Sequence, residues 1–244
     1  MDEPNRFALQ VDRELYIMER EAPMPPFLQS NPKEPGERTM HQEPSITKIV
    51  ITGGPCAGKT TAMKLIRDRF TPLGYTVLLI KETATELISS GVAPWTCGTN
   101  AEYQKCQVRL QLEKESIFEM GARSMPVEKV LLICDRGVMD NRAYMNDAEF
   151  AEVLEYIGTD EAGLLGNYAG VFHLATAAKS PESFYSLENN EARYETQEEA
   201  VALDNRLWEA WEAHPYHKYI QDEIDFDAKM EHLLKEIAVL LDIS

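Results

Sequence analysis

The chain has 244 residues, 44% of them hydrophobic, which is enough for one well-formed core and a small appendage. Its 24 Lys and Arg stand against 41 Asp and Glu, giving a net charge of -17, and so acidic a surface disfavours nucleic acid as a partner because that binding depends on Lys and Arg. The four cysteines show neither CxxC spacing nor a disulfide-dense pattern, which argues against a zinc site and a secreted scaffold.

Residues 1–45 form a proline-rich N-terminal segment. It holds seven of the 13 prolines, so we predict a mostly irregular arm. Within it, Phe7, Val11, Leu15 and Met18 recur at helical spacing, a pattern that fits either a short docking helix or a partner-binding segment. The arm lacks the features of a signal or transit peptide, and no apolar run approaches the roughly 20 residues that cross a bilayer. We therefore predict a cytoplasmic protein without a transmembrane segment.

From residue 46 to residue 244, short apolar runs alternate with helical patterns, which is typical of βα units in an α/β domain with a parallel sheet. The strand candidates are 46–52, 75–80, 129–135, 170–176 and, weakest, 217–222. The helix candidates are 58–70, 100–120, a helix from an Asp147 cap to Gly158, and an amphipathic C-terminal helix from Phe226 to Leu241. An acidic, partly helical insert over 177–215 fits either a solvated surface helix or a mobile lid.

The stretch GGPCAGKTT, which we call the glycine loop (residues 53–61), follows the first strand and opens the first helix. It satisfies the spacing G-x-x-x-x-G-K-[ST] of a phosphate-binding loop, in which glycines let backbone N–H groups converge at a helix N-terminus. Lys59 would reach the β- and γ-phosphates of a nucleotide, and the Thr60 hydroxyl would bind Mg²⁺. The predicted nucleotide-binding residues are Gly53, Gly54, Pro55, Cys56, Ala57, Gly58, Lys59, Thr60 and Thr61.

Two acidic residues and an arginine lie at the ends of the second and third predicted strands. Asp135 ends the third strand, where a second Mg²⁺ ligand is needed, and we predict that role for it. Arg136 comes next and would stabilise a transferring phosphoryl group or clamp an acceptor, although an ion pair with Glu82 or Glu128 fits equally well. Glu82 follows the second strand and is either the acceptor of a substrate hydroxyl proton or a salt-bridged loop residue.

Beyond the glycine loop, the stretches ETATELI, CDRG, FHLATAA and LDNRLWEAWEAHP resemble the NadR-related branch of P-loop kinase-like NTPases over 46–242. That branch of ribosylnicotinamide-kinase-like AAA domains includes eukaryotic GTP- or ATP-binding members, often fused to a CYTH-type domain that is absent from this sequence. The resemblance implies a central parallel sheet of order 2-3-1-4-5. It also implies that Asp135-Arg136 is the acidic–arginine pair of deoxynucleoside and thymidylate kinases, and that the lid carries Arg193, with Arg206 as a further candidate.

Two functions follow from these residues. The first is a kinase or NTPase that holds ATP or GTP with Mg²⁺ and transfers phosphate to a small hydroxyl acceptor near Glu82, Gln104 and Arg136, with Arg193 closing over it. The second is a nucleotide-dependent regulatory module whose bound state orders a surface for a protein partner. No N-K-x-D motif is present, which disfavours an ordinary GTPase but leaves GTP open. A degenerate domain conflicts with the intact Lys59 and Thr60.

Overall fold

The computed structural model describes residues 43–176, 196–221 and 225–243. Most of the predicted N-terminal arm, the first half of the predicted lid and Arg193 lie outside these residues. The strands are β1 (Ser45–Thr52), β2 (Tyr75–Ile80), β3 (Lys129–Asp135), β4 (Gly170–Leu174) and β5 (His217–Ile220). The α-helices are α1 (Lys59–Phe70), α2 (Thr83–Ser89), α3 (Asn100–Arg123), α4 (Asp147–Ile157), α5 (Glu161–Leu165), α6 (Gln197–Glu209) and α7 (Phe226–Leu240).

The five strands form one parallel sheet in the order β2-β3-β1-β4-β5. Strand β1 lies at the centre, with Ile49 opposite Ile133 of β3 and Gly170 of β4. The predicted α/β class and the strand order 2-3-1-4-5 are therefore confirmed. Because all carboxyl ends of parallel strands meet at one edge, the segments that follow β1, β2 and β3 converge there.

Both faces of the sheet are covered by helices, as the near-continuous apolar strands require. Ile49 and Ile51 of β1 face a cluster that contains α1 and α7 residues, whereas Val50 between them faces a second cluster that includes Trp211. This alternation follows from the two-residue period of a strand. The result is a three-layer arrangement that fixes the sheet edge from both sides.

Several predicted boundaries differ from the structure by one or two residues. The N-cap of α4 is Asn146 rather than Asp147, because Asn146 Oδ1 accepts from the Glu149 amide at 3.0 Å and Glu149 Oε2 accepts from the Asn146 amide at 2.9 Å. This reciprocal pair is a capping box. Strand β4 ends at Leu174 instead of residue 176, and the Thr176 hydroxyl donates instead to the Pro55 carbonyl at 2.5 Å.

Helix α6 occupies the C-terminal part of the insert predicted over 177–215. One face of it is buried through Ala200, Leu203 and Leu207, and the fully buried Trp211 follows its end. A 3₁₀ segment over Val138–Tyr144 packs beside it, with Ala143 in the same cluster as Leu203 and Leu207. The mobile lid itself stays a prediction. Across the described residues, no helix combines the length and apolar character needed to cross a membrane.

Candidate active site

The glycine loop joins β1 to α1 through backbone conformations that few residues adopt. Gly53 has φ 130°, Cys56 has φ 58° and Gly58 has φ 88°. A Cβ on Gly53 would clash with the Leu174 carbonyl, and one on Gly58 would lie 2.6 Å from the Phe226 ring. Since the N-cap Gly58 supplies no side-chain cap and the first turn of α1 carries no acidic residue, the N–H groups of that turn are left to an anion.

The Lys59 side chain is partly buried and folds back over the glycine loop. Its Nζ donates to the carbonyls of Gly53 and Gly54, each at 2.9 Å. Burial, together with the positive charge of Arg136, lowers the pKa of Lys59 to about 7, and Asp135 only partly opposes this. The amine is therefore poised to gain charge when an anion arrives in the loop.

Glu82 and Arg136 form an ion pair at the edge of the sheet. Arg136 Nε donates to Glu82 Oε1 at 2.5 Å, and the Thr85 hydroxyl donates to Glu82 Oε2 at 2.6 Å. Of the two partners that the sequence left open, the structure thus pairs Arg136 with Glu82. Arg136 has φ 67°, a conformation that a side-chain-bearing residue seldom adopts and that clusters at functional sites.

The two carboxylates beside Arg136 have opposite pKa shifts. Burial acts to raise the pKa of Glu82, but the Arg136 guanidinium and the Thr85 hydroxyl outweigh it, so this pKa lies below its usual range. Burial and the negative charge of Glu82 raise the pKa of Asp135, against the opposing effect of Lys59. Asp135 therefore lies where a further cation would be favourable.

A buried polar cluster holds the residues after Asp135 and Arg136 in place. Gly137 donates its N–H to Asp140 Oδ2 at 2.7 Å, and Asp140 Oδ1 accepts from Trp211 Nε1 at 3.2 Å and from the Thr52 hydroxyl. A Cβ on Gly137 would lie 2.5 Å from the Trp211 ring and 2.7 Å from Val50. The turn after β3 thus leaves room only for glycine at this point.

A cavity of about 620 Å³, which we call the amide cavity, opens beside Glu82 and Arg136. Gln104, Gln107 and Gln111 of α3 are all buried and line it, together with Tyr103 and Asn141. Gln104 Oε1 and Tyr103 OH have no hydrogen-bond partner in the described part of the chain. Burial, with the charge of Glu82, raises the pKa of Tyr103 to about 12, so this hydroxyl keeps its proton at neutral pH.

The sequence pointed to Gln104 alone among these cavity residues. The available signal was the spacing of the three glutamines at i, i+3 and i+7, which places polar side chains on one face of a helix. The structure shows that this face of α3 is turned inward and lines a wall, instead of facing solvent.

A second depression brings together the predicted Mg²⁺ ligands. Thr60 and Asp135 line one groove, with Glu82 at the same place. Among the described residues, no cluster of three His, Cys, Asp or Glu side chains is arranged to hold a metal ion. Of the three carboxylates in this groove, Glu82 pairs with Arg136 and Glu86 pairs with Lys114. Asp135 and the Thr60 hydroxyl are therefore the candidate metal ligands, a donor set that oxygens of a bound ligand would complete.

Helix α6 contacts the glycine loop from the opposite side. Asp204 Oδ1 accepts a hydrogen bond from the Gly54 amide at 2.7 Å and lies 2.9 Å from His173 Nε2. The sequence patterns did not single out Asp204, which is 150 positions from Gly54. No local pattern signals a contact across that distance.

Comparison with known proteins agrees with this geometry. A family model described as an AAA domain matches residues 48–229. A thymidylate kinase from Ehrlichia chaffeensis has a similar structure, with a TM-score of 0.52 over 81% of this chain and 100% of that one at 14% sequence identity. This likeness shows that the chain has the fold of a P-loop kinase. No curated protein matches the sequence. Since the family model covers most of the chain, the protein belongs to this family of AAA domains.

Proposed function

We propose that this protein binds a purine nucleoside triphosphate, ATP or GTP, with Mg²⁺ at the glycine loop and transfers the terminal phosphoryl group to a hydroxyl of a small acceptor in the amide cavity. The observation that carries the proposal is the Glu82–Arg136 pair, which lines the amide cavity while Glu82 also borders the groove of Thr60 and Asp135. The donor and acceptor sites therefore adjoin at Glu82 and Asp135, which line both.

The donor end is built by the glycine loop and the start of α1. The free N–H groups of the first turn face the phosphates, and Lys59 exchanges its two carbonyl contacts for phosphate oxygens. Thr60 and Asp135 would hold Mg²⁺, which neutralises charge on the phosphates when bound. The raised pKa of Asp135 fits this role because a nearby cation stabilises its charged form.

At the acceptor end, Glu82 accepts a proton and Arg136 stabilises negative charge. The acceptor oxygen forms the new bond to phosphorus, its proton goes to Glu82, and the nucleoside diphosphate leaves with the electrons of the broken bond. Arg136 stabilises charge on the transferring group. The lowered pKa of Glu82 keeps the carboxylate ionised at neutral pH but makes it a weaker base, so the proton passes to it as the bond to phosphorus forms and the acceptor hydroxyl becomes acidic. Arg193 would join from the predicted lid.

The composition of the amide cavity favours an uncharged acceptor. Among the described residues that line it, Arg136 carries the sole positive charge, and Glu82 already pairs with it. A monophosphate acceptor would need further cations, whereas the unpartnered Gln104 Oε1 requires a ligand that donates a hydrogen bond.

We therefore expect phosphate transfer to unphosphorylated alcohols or nucleosides and not to their monophosphates. A panel of both, with Mg²⁺ and either ATP or GTP, should contain an unphosphorylated compound that speeds diphosphate release at least about tenfold over water. Faster release with monophosphates than with their parent alcohols would contradict this acceptor assignment.

Binding of the nucleotide should also take up protons. With a Lys59 pKa of about 7, roughly half of these side chains are neutral at pH 7 in the free protein, and phosphate oxygens favour the charged form. Uptake should therefore rise from about 0.1 proton at pH 6 to about 0.9 at pH 8, and affinity should fall as the pH rises through 7. Calorimetry in buffers of different ionisation enthalpy measures this proton uptake. An uptake that stays constant between pH 6 and pH 8 would contradict the assignment of the titrating group to Lys59.

A second function, the nucleotide-dependent regulatory module, is favoured by one observation. Helix α6 contacts the glycine loop through Asp204, so the state of the loop can reach the surface of that helix and a protein partner there. The regulatory function would replace the kinase on two results together. No acceptor would speed diphosphate release and no hydrolysis would be seen, while the nucleotide would still bind and protect the chain from protease. We also propose that the protein is related to the NadR branch of P-loop kinase-like NTPases and that it is cytoplasmic.

A further inference from the structure

Asp204 on α6 is a fully buried carboxylate that touches the glycine loop. Its Oδ1 accepts the Gly54 N–H at 2.7 Å, a charge-assisted bond of the stronger kind. A Cβ on Gly54 would lie 3.0 Å from both Asp204 Cβ and Oδ1, and 3.2 Å from Thr176 Cβ. The loop therefore rests directly on α6, with space for little more than a hydrogen atom between them.

His173 of β4 holds the Asp204 carboxylate from the other side. Its Nε2 lies 2.9 Å from the same Oδ1, and both side chains are fully buried. The imidazole stacks on Tyr219 and meets Trp208 edge-on, with ring centroids 5.4 and 5.6 Å away. Since an ionised carboxylate only accepts, Nε2 carries the proton. Asp204 Oδ1 thus lies between two donors from separate elements of the sheet edge.

The peptide group that joins Gly53 to Gly54 is held at both of its polar atoms. Asp204 accepts from the Gly54 N–H, and Lys59 Nζ donates to the Gly53 carbonyl at 2.9 Å. When Lys59 turns to the phosphates, as the proposed function requires, the carbonyl loses that contact. The Asp204 bond then remains to hold the peptide.

We propose that Asp204 is a positioning residue that fixes the Gly54 peptide in the shape of the glycine loop that accepts a triphosphate. His173 orients Asp204, and α6 becomes part of the nucleotide site without touching the nucleotide. This inference rests on the proposed function for its ligand, a purine nucleoside triphosphate with Mg²⁺. It requires only binding, so it is independent of whether transfer, hydrolysis or regulation follows.

The test compares three variants by calorimetry with Mg²⁺ and ATP or GTP. Asp204→Ala removes the acceptor and should weaken binding about 10- to 100-fold, as expected for a buried bond to a charged group. Asp204→Asn keeps an oxygen that can accept from both donors, so its affinity should stay within about threefold. Leu207→Ala is the matched control, since it removes a fully buried side chain of the same helix with a stability loss but no change in affinity.

Glycine-selective ¹⁵N labelling gives a readout that lost stability alone would not move. In the wild type the Gly54 amide should be shifted downfield and protected from hydrogen exchange, and Asp204→Ala should abolish both effects while Leu207→Ala preserves them. Unchanged affinity in folded Asp204→Ala, or an equal loss in Asp204→Asn, would overturn the positioning role and leave the proposed function intact. No binding by the wild type would overturn the proposed function and this role together.

Discussion

Replacing Lys59 with alanine is expected to weaken binding of the magnesium-bound triphosphate about 10- to 150-fold, the loss of a charged group that bonds an anion. The fold should survive, because the hydrogen bonds of the Lys59 amine within the described residues go to the Gly53 and Gly54 carbonyls of its own loop and not to the sheet or the core. Calorimetry or a thermal shift with nucleotide measures the effect.

Arg69→Ala is the matched control for Lys59→Ala. Arg69 lies on the same helix, is about half exposed and pairs with Glu231 at 2.6 Å, so its loss removes a positive charge from α1 without altering the loop. Its affinity should equal that of the wild type within about twofold, since exposed ion pairs contribute little. An affinity of Lys59→Ala equal to that of the wild type would contradict the assignment of the glycine loop as the phosphate-binding site.

Replacing Glu82 with glutamine is expected to lower kcat for phosphoryl transfer about 10²- to 10⁴-fold, the usual contribution of a general base. Nucleotide affinity should change little, because the predicted ligands of the nucleotide are Lys59, Thr60 and the loop amides. The substituted amide keeps the size of the side chain and one oxygen to accept from Arg136 Nε. Single-turnover rates with the best acceptor of the panel separate the chemical step from binding.

Glu113→Gln provides the comparison for Glu82→Gln. Glu113 lies on α3, is exposed and pairs with Arg109 at 2.7 Å, and it lines neither the amide cavity nor the groove of Thr60 and Asp135. This variant should keep the wild-type kcat. A Glu82→Gln variant with full activity would remove the proton acceptor from the mechanism and leave Arg136 and Mg²⁺ to act by electrostatics and positioning alone.

Much of the fold follows from local patterns in the sequence. Strands such as β3 could be predicted because a strand buried on both faces must be apolar along its whole length. The order of the strands could not, since spacing says nothing about which strands are neighbours, and it came only from the family resemblance. The cap of α4 was misplaced by one residue because Asn146 and Asp147 are both good capping residues, and the Glu149 contact decides between them.

Part of the candidate site could likewise be predicted from the sequence, and part could not. The glycine loop is contiguous, so its spacing is visible in the sequence. The partner of Arg136 was ambiguous because it depends on where the segments after β2 and β3 meet in space. The inward face of α3 and the contact of Asp204 with Gly54 join elements far apart in the chain, and only the tertiary structure brings them together.

Helix α6, which contacts the glycine loop through Asp204, also contacts the segment that lines the amide cavity. Arg206 Nε donates to the Ala143 carbonyl of the 3₁₀ segment at 3.1 Å, and that segment lines the amide cavity through Asn141 and Tyr144. Helix α6 thus contacts both the glycine loop and the 3₁₀ segment beside the amide cavity. Any coupling between nucleotide and acceptor that runs through α6 must change both dissociation constants by the same factor, so measuring the acceptor constant with and without nucleotide also gives the effect of the acceptor on the nucleotide.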